Sequence, residues 1–312
     1  MNNNKNISVI IPVTERYSDV RELYHAYKSA LDSTQQSYEI VYVLDGEFPD
    51  VSTALIGLKD EGEQIKIVKL AKWFGEAVAL TAGFENSSGD IILTLPAYYQ
   101  VEASEIPGVL EKLGKLDMVI GRRWPRTDAA FNRLQGKAFH WIFNKITDRE
   151  FHDLGCGVRA FKRHVITEVP IYGDQHRFLP VLANRRGFRI DEIKVQQSDK
   201  DKHSRIYRPG VYLRRMLDIL TVFFLVKFTK KPLRFFGLIG SGTFILGGLI
   251  LLVVIFERLF GGVALADRPV LLLSSLMVVL GVQLFALGLI GELIIFTHAK
   301  RLKEYAVEEI VN

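Results

Sequence analysis

Cysteine is nearly absent from this chain: Cys156 stands alone among 312 residues. One thiol excludes an intrachain disulfide and any metal centre built on several cysteines. Internal repeats and low-complexity tracts are missing too, which removes repeat architectures. No signal peptide is expected, because the early apolar run Ile7–Val13 is too short and has the look of a buried first strand. The excess of positive charge is small, 40 Lys and Arg against 35 Asp and Glu. A pervasive basic face, as nucleic-acid binding would need, is therefore not expected. Many of the basic residues lie between positions 185 and 234. That clustering suits anionic lipid headgroups or phosphate esters, and a solvated basic surface beside a membrane anchor is the plainer alternative.

What the chain does have is two long apolar runs, 235–256 and 270–296. Each is long enough to cross a bilayer, since about 20 residues span the hydrocarbon layer. Lys227, Lys230, Lys231 and Arg234 precede the first run, and Lys300, Arg301 and Lys303 follow the second. The connection between them carries only Arg258 and Arg268 against Glu257 and Asp267. The positive-inside rule then predicts a multi-pass protein of the inner (cytoplasmic) membrane, with both termini in the cytoplasm. Between 210 and 231, Arg214, Arg215 and Asp218 share one helical face while Leu217, Leu220, Phe223, Phe224 and Phe228 fill the rest. That pattern predicts an interfacial helix, with an ordinary buried helix as its competitor. The expected order is a cytoplasmic α/β domain over 1–209, a juxtamembrane helix over 210–232, two spans within 233–299, and a cytoplasmic tail over 300–312.

In the first domain, apolar β-rich runs at Ile7–Val13, 39–44, Ile65–Leu70, 90–95 and 118–121 alternate with helical patterns. Val20, Leu23, Tyr24, Tyr27 and Leu31 fall at helical spacing, and 75–84 predicts a further helix before the Ser87-Ser88-Gly89 turn. Such alternation implies a mostly parallel sheet covered on both faces, with ligands beyond the carboxyl ends of its strands.

The residues at those strand ends carry a resemblance. Residues 38–46 read YEIVYVLDG, 70–83 read LAKWFGEAVALTAG, and 153–163 read DLGCGVRAFKR. In order and spacing, together with the opening strand 7–15, these resemble segments of the family 2 glycosyltransferases of the GT-A fold. Within that family the chain is most similar to the polyprenyl-phosphate (dolichol-phosphate-type) sugar transferases. Their bacterial members also have two C-terminal spans and a tail like 301–311. The resemblance implies a nucleotide-sugar donor, a polyprenyl phosphate or other lipid-linked acceptor, and a membrane-lipid environment. It implies that Pro12, Glu15, Asp45, Gly46 and Gln100 bind the nucleotide. Arg122, Arg123 and Tyr207 would bind phosphate, and Asp153, Arg177 and Arg205 would act at the reacting centre. Asp45 also has a purely structural reading, as a turn residue after a strand.

Two departures matter. The family's metal-binding Asp-x-Asp lies within Asp-Ala-Asp-Leu-Gln, and here that run is Pro96-Ala97-Tyr98-Tyr99-Gln100. Both carboxylates are gone, although a hard divalent cation prefers anionic oxygen ligands. The opening turn reads Thr14-Glu15-Arg16 where Tyr-Asn-Glu is usual, and Leu44 replaces the first Asp of Asp-Asp-Gly. The metal therefore stays unknown. Mg²⁺ or Mn²⁺ would need other ligands, such as Glu102, Asp45 or Asp174. Alternatively guanidinium groups take over the charge of the leaving diphosphate, with Arg122, Arg123, Arg126, Arg133, Arg177 and the basic loop 200–208 as sources.

Several residues carry two readings each. Trp73, Trp124, Tyr98 and Tyr99 could stack on a base or sugar, or belong to core and rim. Of His152 and Asp153, taken as neighbours on a strand, only one faces the cleft, and Asp153 is preferred. Glu292, inside the second apolar run, is either functional or paired with Arg234. Gly237, Gly240, Gly247, Gly248, Gly281, Gly288 and Gly291 permit close helix packing, within the hairpin or in a homo-oligomer.

Overall fold

The computed structural model describes residues 6–125, 151–169, 173–201, 232–262 and 269–298. The chain divides into two compact units, one built on a sheet and one on two long helices.

The sheet has seven strands: β1 Ile7–Val13, β2 Tyr38–Asp45, β3 Ile65–Leu70, β4 Ile91–Thr94, β5 Met118–Arg123, β6 Arg159–Lys162 and β7 Ile190–Val195, in the spatial order β3-β2-β1-β4-β6-β5-β7. The first five match the apolar runs of the sequence. β1 pairs parallel with β2 and β4, β2 with β3, and β5 with β7. β6 runs antiparallel to both β4 and β5, so it alone opposes the others and the sheet is mixed.

Helices cover the sheet. α1, Val20–Asp32, starts where the Asp19 side chain accepts the Glu22 N–H at 2.9 Å, satisfying one orphan donor of the first turn. Val20, Leu23, Tyr24, Tyr27 and Leu31 are all buried, as their spacing predicted. α2, Pro49–Asp60, and α4, Ile106–Leu113, each carry proline in the first turn, where its missing N–H costs nothing. α3 is Glu76–Glu85, and α5 (Arg163–Glu168) and α6 (Leu179–Arg185) are short. Gly83 of α3 lies so close to β1 that a Cβ there would meet Ile10 Cγ2 at 2.4 Å.

The sheet's geometry fixes where a ligand can enter. From β1 the chain steps outward to β2 and β3, then returns to β4 on the other side of β1. The β1–β4 ladder ends at Ile10 opposite Thr94. Beyond it the strands part, and open α/β sheets bind ligands at such a switch point. Pro12 lies past that last pair, so no rung to β4 requires its missing N–H.

The second unit comprises α7, Pro232–Gly261, and α8, Pro269–His298. Both are long and apolar enough to cross a membrane, with a mean hydropathy of 2.5 in each. Their outward residues, among them Leu238, Leu252, Leu259, Leu272 and Leu293, are exposed rather than buried. That is the pattern of helices facing lipid and not of a soluble core. The glycines face the partner helix. A Cβ on Gly240 would come 2.7 Å from Gly281 O, one on Gly281 2.6 Å from Phe244 N, and one on Gly247 2.7 Å from Met277 Cβ. Gly248 has open space instead. The expected pairing of Glu292 with Arg234 is not present. Arg234 is exposed, and Glu292 Oε2 accepts the N–H of Leu233 at 3.4 Å, so the carboxylate serves the first turn of α7. Unpaired amide groups and the positive end of the helix dipole favour that arrangement. The proposed interfacial helix and the tail lie outside the described residues.

Gly83→Ala is expected to destabilise the sheet unit by about 1–3 kcal/mol through overpacking against the branched Ile10. Urea unfolding followed by tryptophan fluorescence checks this, and Ile10→Ala should cost less in the Gly83→Ala background than in the parent chain.

Candidate active site at the carboxyl ends of the strands

Asp45 ends β2 and is only 1% exposed. Its Oδ1 accepts the N–H of Phe74 at 2.7 Å and its Oδ2 the N–H of Gly75 at 2.8 Å. The carboxylate thus fastens the loop after β3 to the end of β2. Gly75 adopts φ 101°, and at Gly46, φ 115°, a Cβ would stand 3.5 Å from Trp73 N. Glycine is needed at both positions because other residues rarely adopt that backbone conformation. Held this way, the loop presents Trp73 and Phe74 to solvent, 56% and 47% exposed. Tyr17, exposed on the turn after β1, packs edge-on against Phe48, ring centroids 5.6 Å apart. The geometry gives Asp45 a loop-fastening job at the expected strand end. Pro12 is buried within β1, whereas Glu15 is exposed on the turn that follows.

Across the switch point, the Ser18 N–H donates to Ala97 O at 2.9 Å and ties the turn after β1 to the segment after β4. Gln100 is buried and its amide is used internally. Nε2 donates to Tyr98 Oη at 2.8 Å, and Oε1 accepts the Gly157 N–H at 2.7 Å. Its side chain therefore braces two loops, which differs from the nucleotide contact expected of it. Burial raises the Tyr98 phenol to about 12, despite the opposing pull of Arg16 and Arg123, so it is neutral at ordinary pH.

Arg16 was not singled out by its sequence context. Its guanidinium carbon lies 3.7 Å from the Tyr98 ring centroid, and Nη2 donates to Asp201 Oδ1 at 2.8 Å. Asp201 Oδ2 accepts from Gln197 Nε2 at 2.8 Å and stands 3.7 Å from Arg123 Nη1. Arg123 in turn grips Asp153 along one edge of its guanidinium, Nε donating to Oδ2 at 2.7 Å and Nη2 to Oδ1 at 2.9 Å. Asp153 is 2% exposed. Arg123 and Asp153 are thus a buried pair, not the open phosphate donor and cleft-facing carboxylate expected of them. Residues 151–157 form a bent loop and not the expected strand, so His152 and Asp153 are not strand neighbours on opposite faces. The neighbouring His152 turns outward, with Nδ1 2.8 Å from Glu192 Oε2.

Arg122, adjacent to Arg123 in β5, has no acidic partner among the described residues. It faces the exposed Trp124 at 5.6 Å from the ring centre, and Lys194 lies 5.8 Å from the same ring. Arg177 is exposed on the 3-10 turn Gly173–Phe178. Beside it, buried His176 places Nε2 3.1 Å from Glu76 Oε2, and its carbonyl accepts from Arg159 Nη1 at 2.6 Å. Burial pushes the Glu76 carboxyl upward, but the contact with His176 and the charges of Arg177 and Arg159 outweigh it and hold it at about 2. Arg126, Arg133, Arg205 and Tyr207 lie outside the described residues.

A divalent cation does not fit the run Pro96–Gln100. It offers no carboxylate, its phenol is neutral, its amide oxygen is occupied, and a guanidinium lies on its tyrosine ring. Among the described residues no group of three or more His, Cys, Asp and Glu could hold a metal.

Residues 8–168 match the sequence profile of Glycosyl transferase family 2. The chain is 31% identical over 314 residues to undecaprenyl-phosphate 4-deoxy-4-formamido-L-arabinose transferase of Pectobacterium carotovorum, a match spanning 99% of this chain and 94% of that protein. It is 28% identical over 301 residues to dodecaprenyl-phosphate galacturonate synthase of Rhizobium johnstonii, covering 94% and 88%. Among solved structures, glucosyl-3-phosphoglycerate synthase of Mycobacterium tuberculosis, in complex with Mn²⁺, uridine-diphosphate and phosphoglyceric acid, superposes with a TM-score of 0.51 at 14% identity. That superposition covers 71% of this chain and 78% of that one. At such identity the likeness speaks for the fold alone.

Two outcomes are expected. Asp153→Asn leaves Arg123 buried without its bidentate partner and should cost about 3 kcal/mol in urea unfolding, while Arg123→Met with Asp153→Leu should cost less. For Glu76, a folded carboxyl near 2 against an ordinary value of 4.5 contributes stability above pH 4.5 that is lost as the pH falls towards 2. Thermal melts across that window should therefore decline less steeply for Glu76→Gln than for the parent chain.

Proposed function

We propose a specific reaction for this chain, which belongs to glycosyl transferase family 2: transfer of a sugar from a nucleotide-sugar to a polyprenyl phosphate or related lipid-linked acceptor, for envelope or exopolysaccharide synthesis. The observation that carries this reading is the extent of the likeness. It runs through the sheet unit and both apolar helices, over 99% of the chain, to a transferase named for an undecaprenyl-phosphate acceptor.

In this reaction a phosphate oxygen of the acceptor bonds to the anomeric carbon while the bond from that carbon to the donor diphosphate breaks. The nucleoside diphosphate departs with the electron pair. The acceptor is already an anion, so no strong base has to remove a proton. The demand falls instead on neutralising charge as the diphosphate leaves. Arg122 and Arg177 are available for this, with Arg205 and Tyr207 beyond the described residues. The exposed aromatic loop at Trp73 and Phe74 offers stacking surface for a base. Under this reading residues 1–209 and both termini lie on the cytoplasmic side of the inner membrane, beside the two spans.

One group of contacts favours a second reading. Asp45, Gln100 and Asp153 all spend their polar atoms inside the protein. A catalytically degenerate relative, acting as partner or regulator of a polysaccharide assembly complex, would tolerate this.

Purified full-length protein is given radiolabelled nucleotide-sugars and undecaprenyl phosphate, with EDTA or with Mn²⁺. Label extractable into organic solvent from one donor is the expected result, and it should persist in EDTA. Nucleotide binding without lipid-linked product from any donor would favour the second reading.

A further inference from the structure

The turn after β1 and the segment after β4 flank the switch point, and there the chain places a guanidinium on an aromatic face. Arg16 lies 3.7 Å above Tyr98, and among the described residues one of its five N–H groups is committed, to Asp201 at 2.8 Å. Its side chain is 30% exposed while that of Asp201 is 4% exposed, so the pair is rooted inside and open outside. Asp201 is itself fixed by Gln197 and flanked by Arg123, and Tyr98 is fixed through its hydroxyl by Gln100. Ring below, carboxylate at one edge and neighbours behind leave the guanidinium little freedom. A planar fork immobilised in this way, and partly open to solvent, has further donors whose geometry matches the paired oxygens of a phosphate.

We infer that Arg16, seated on Tyr98 and anchored by Asp201, is a ligand of the donor's diphosphate and occupies the place where the family resemblance would put a divalent cation. This rests on the transferase reading above and adds the residue that meets the leaving group. The charges agree with it. At the three positions where the resemblance has one Glu and two Asp, this chain has Arg16, Pro96 and Tyr98, so three negative charges give way to one positive. A metal would find no carboxylate at those three positions, with Asp201 already engaged by Arg16 and Gln197, and would stand against a fixed cation. A diphosphate would meet donors and a neutral phenol.

The test uses full-length protein in detergent and calorimetric titration with UDP, GDP, CDP and ADP, in EDTA and again with Mn²⁺. At least one diphosphate should bind in EDTA, with an affinity changed less than about twofold by Mn²⁺. Arg16→Gln should weaken that diphosphate by about tenfold or more, the range expected on losing hydrogen bonds to a charged group, and leave the matching nucleoside unchanged. Arg16→Lys should fall between, because an ammonium keeps the charge and loses the fork. Should Arg16→Gln not fold, Tyr98→Leu removes the platform, keeps the arginine, and should still weaken the diphosphate several-fold. Equal diphosphate affinity in these variants, or binding by the parent chain only with Mn²⁺, overturns the role of Arg16 and leaves the transferase reading standing. Absence of binding by every diphosphate, with and without Mn²⁺, overturns the transferase reading itself and this inference with it.

Discussion

The cleft depends on a charge-balanced chain of four side chains, Arg16–Asp201–Arg123–Asp153, laid across the gap where β1 and β4 part. Each of the four comes from a different part of the sequence: the turn after β1, the end of β5, the loop before β6 and the segment after β7. Taking charges out of water is costly, and only good geometry with further hydrogen bonds offsets it. That condition is met at the buried end, where Arg123 and Asp153 are bidentate. It is relaxed at the outer end, where Arg16 keeps contact with solvent. The network is therefore rigid inside and open at the mouth, which is the arrangement a binding group needs.

The same logic separates residues that hold the cleft from residues that face it. Asp45 is spent on the backbone of the aromatic loop, Gln100 on bridging two loops, and Asp153 on Arg123. Each sits where a ligand-binding polar residue was expected, and each instead fixes a segment that carries other groups to the surface. Among the described residues, the groups turned outward beside them include the cationic Arg16, Arg122 and Arg177 and the aromatic Trp73, Phe74 and Trp124, with Glu15 as an acidic neighbour. A surface of that composition is suited to a flat base and a polyanion.

Much of the fold was legible because strands buried on both faces, such as β1 and β4, read as continuous apolar runs, while the edge strand β3, IKIVKL, alternates apolar residues with exposed lysines. β6, with the sequence RAFK, and β7, with IDEIKV, are broken by charged residues, so no apolar run betrays them. The reversed direction of β6 has no local signature, since direction is fixed by pairing with β4 and β5. Helix α4 was readable in principle, as Ile106, Val109, Leu110 and Leu113 have helical spacing and are all buried. The site was less legible. Arg16 and Asp201 are 185 positions apart, and nothing local to either announces the other. The available signal for Arg16 was a reversal of charge at a position where the resemblance has a carboxylate. Glu292 was misassigned for a related reason. A carboxylate inside an apolar helix calls for a partner, and the unpaired amide of Leu233 on the neighbouring helix end serves as well as a cation.

The lost carboxylates make physical sense as a set rather than singly. Acidic residues beside a diphosphate are useful only while a cation lies between them, because otherwise like charges face each other at close range. Once a guanidinium takes the cation's place, retained aspartates would compete with the phosphates for its donors. They would also repel the substrate. Replacing them by a proline and a neutral phenol removes that competition, and the phenol ring adds a surface on which the guanidinium can rest. An acceptor that arrives already ionised needs no base. The loss of acidic groups from the cleft then costs the reaction less than it would cost an enzyme that must deprotonate an alcohol.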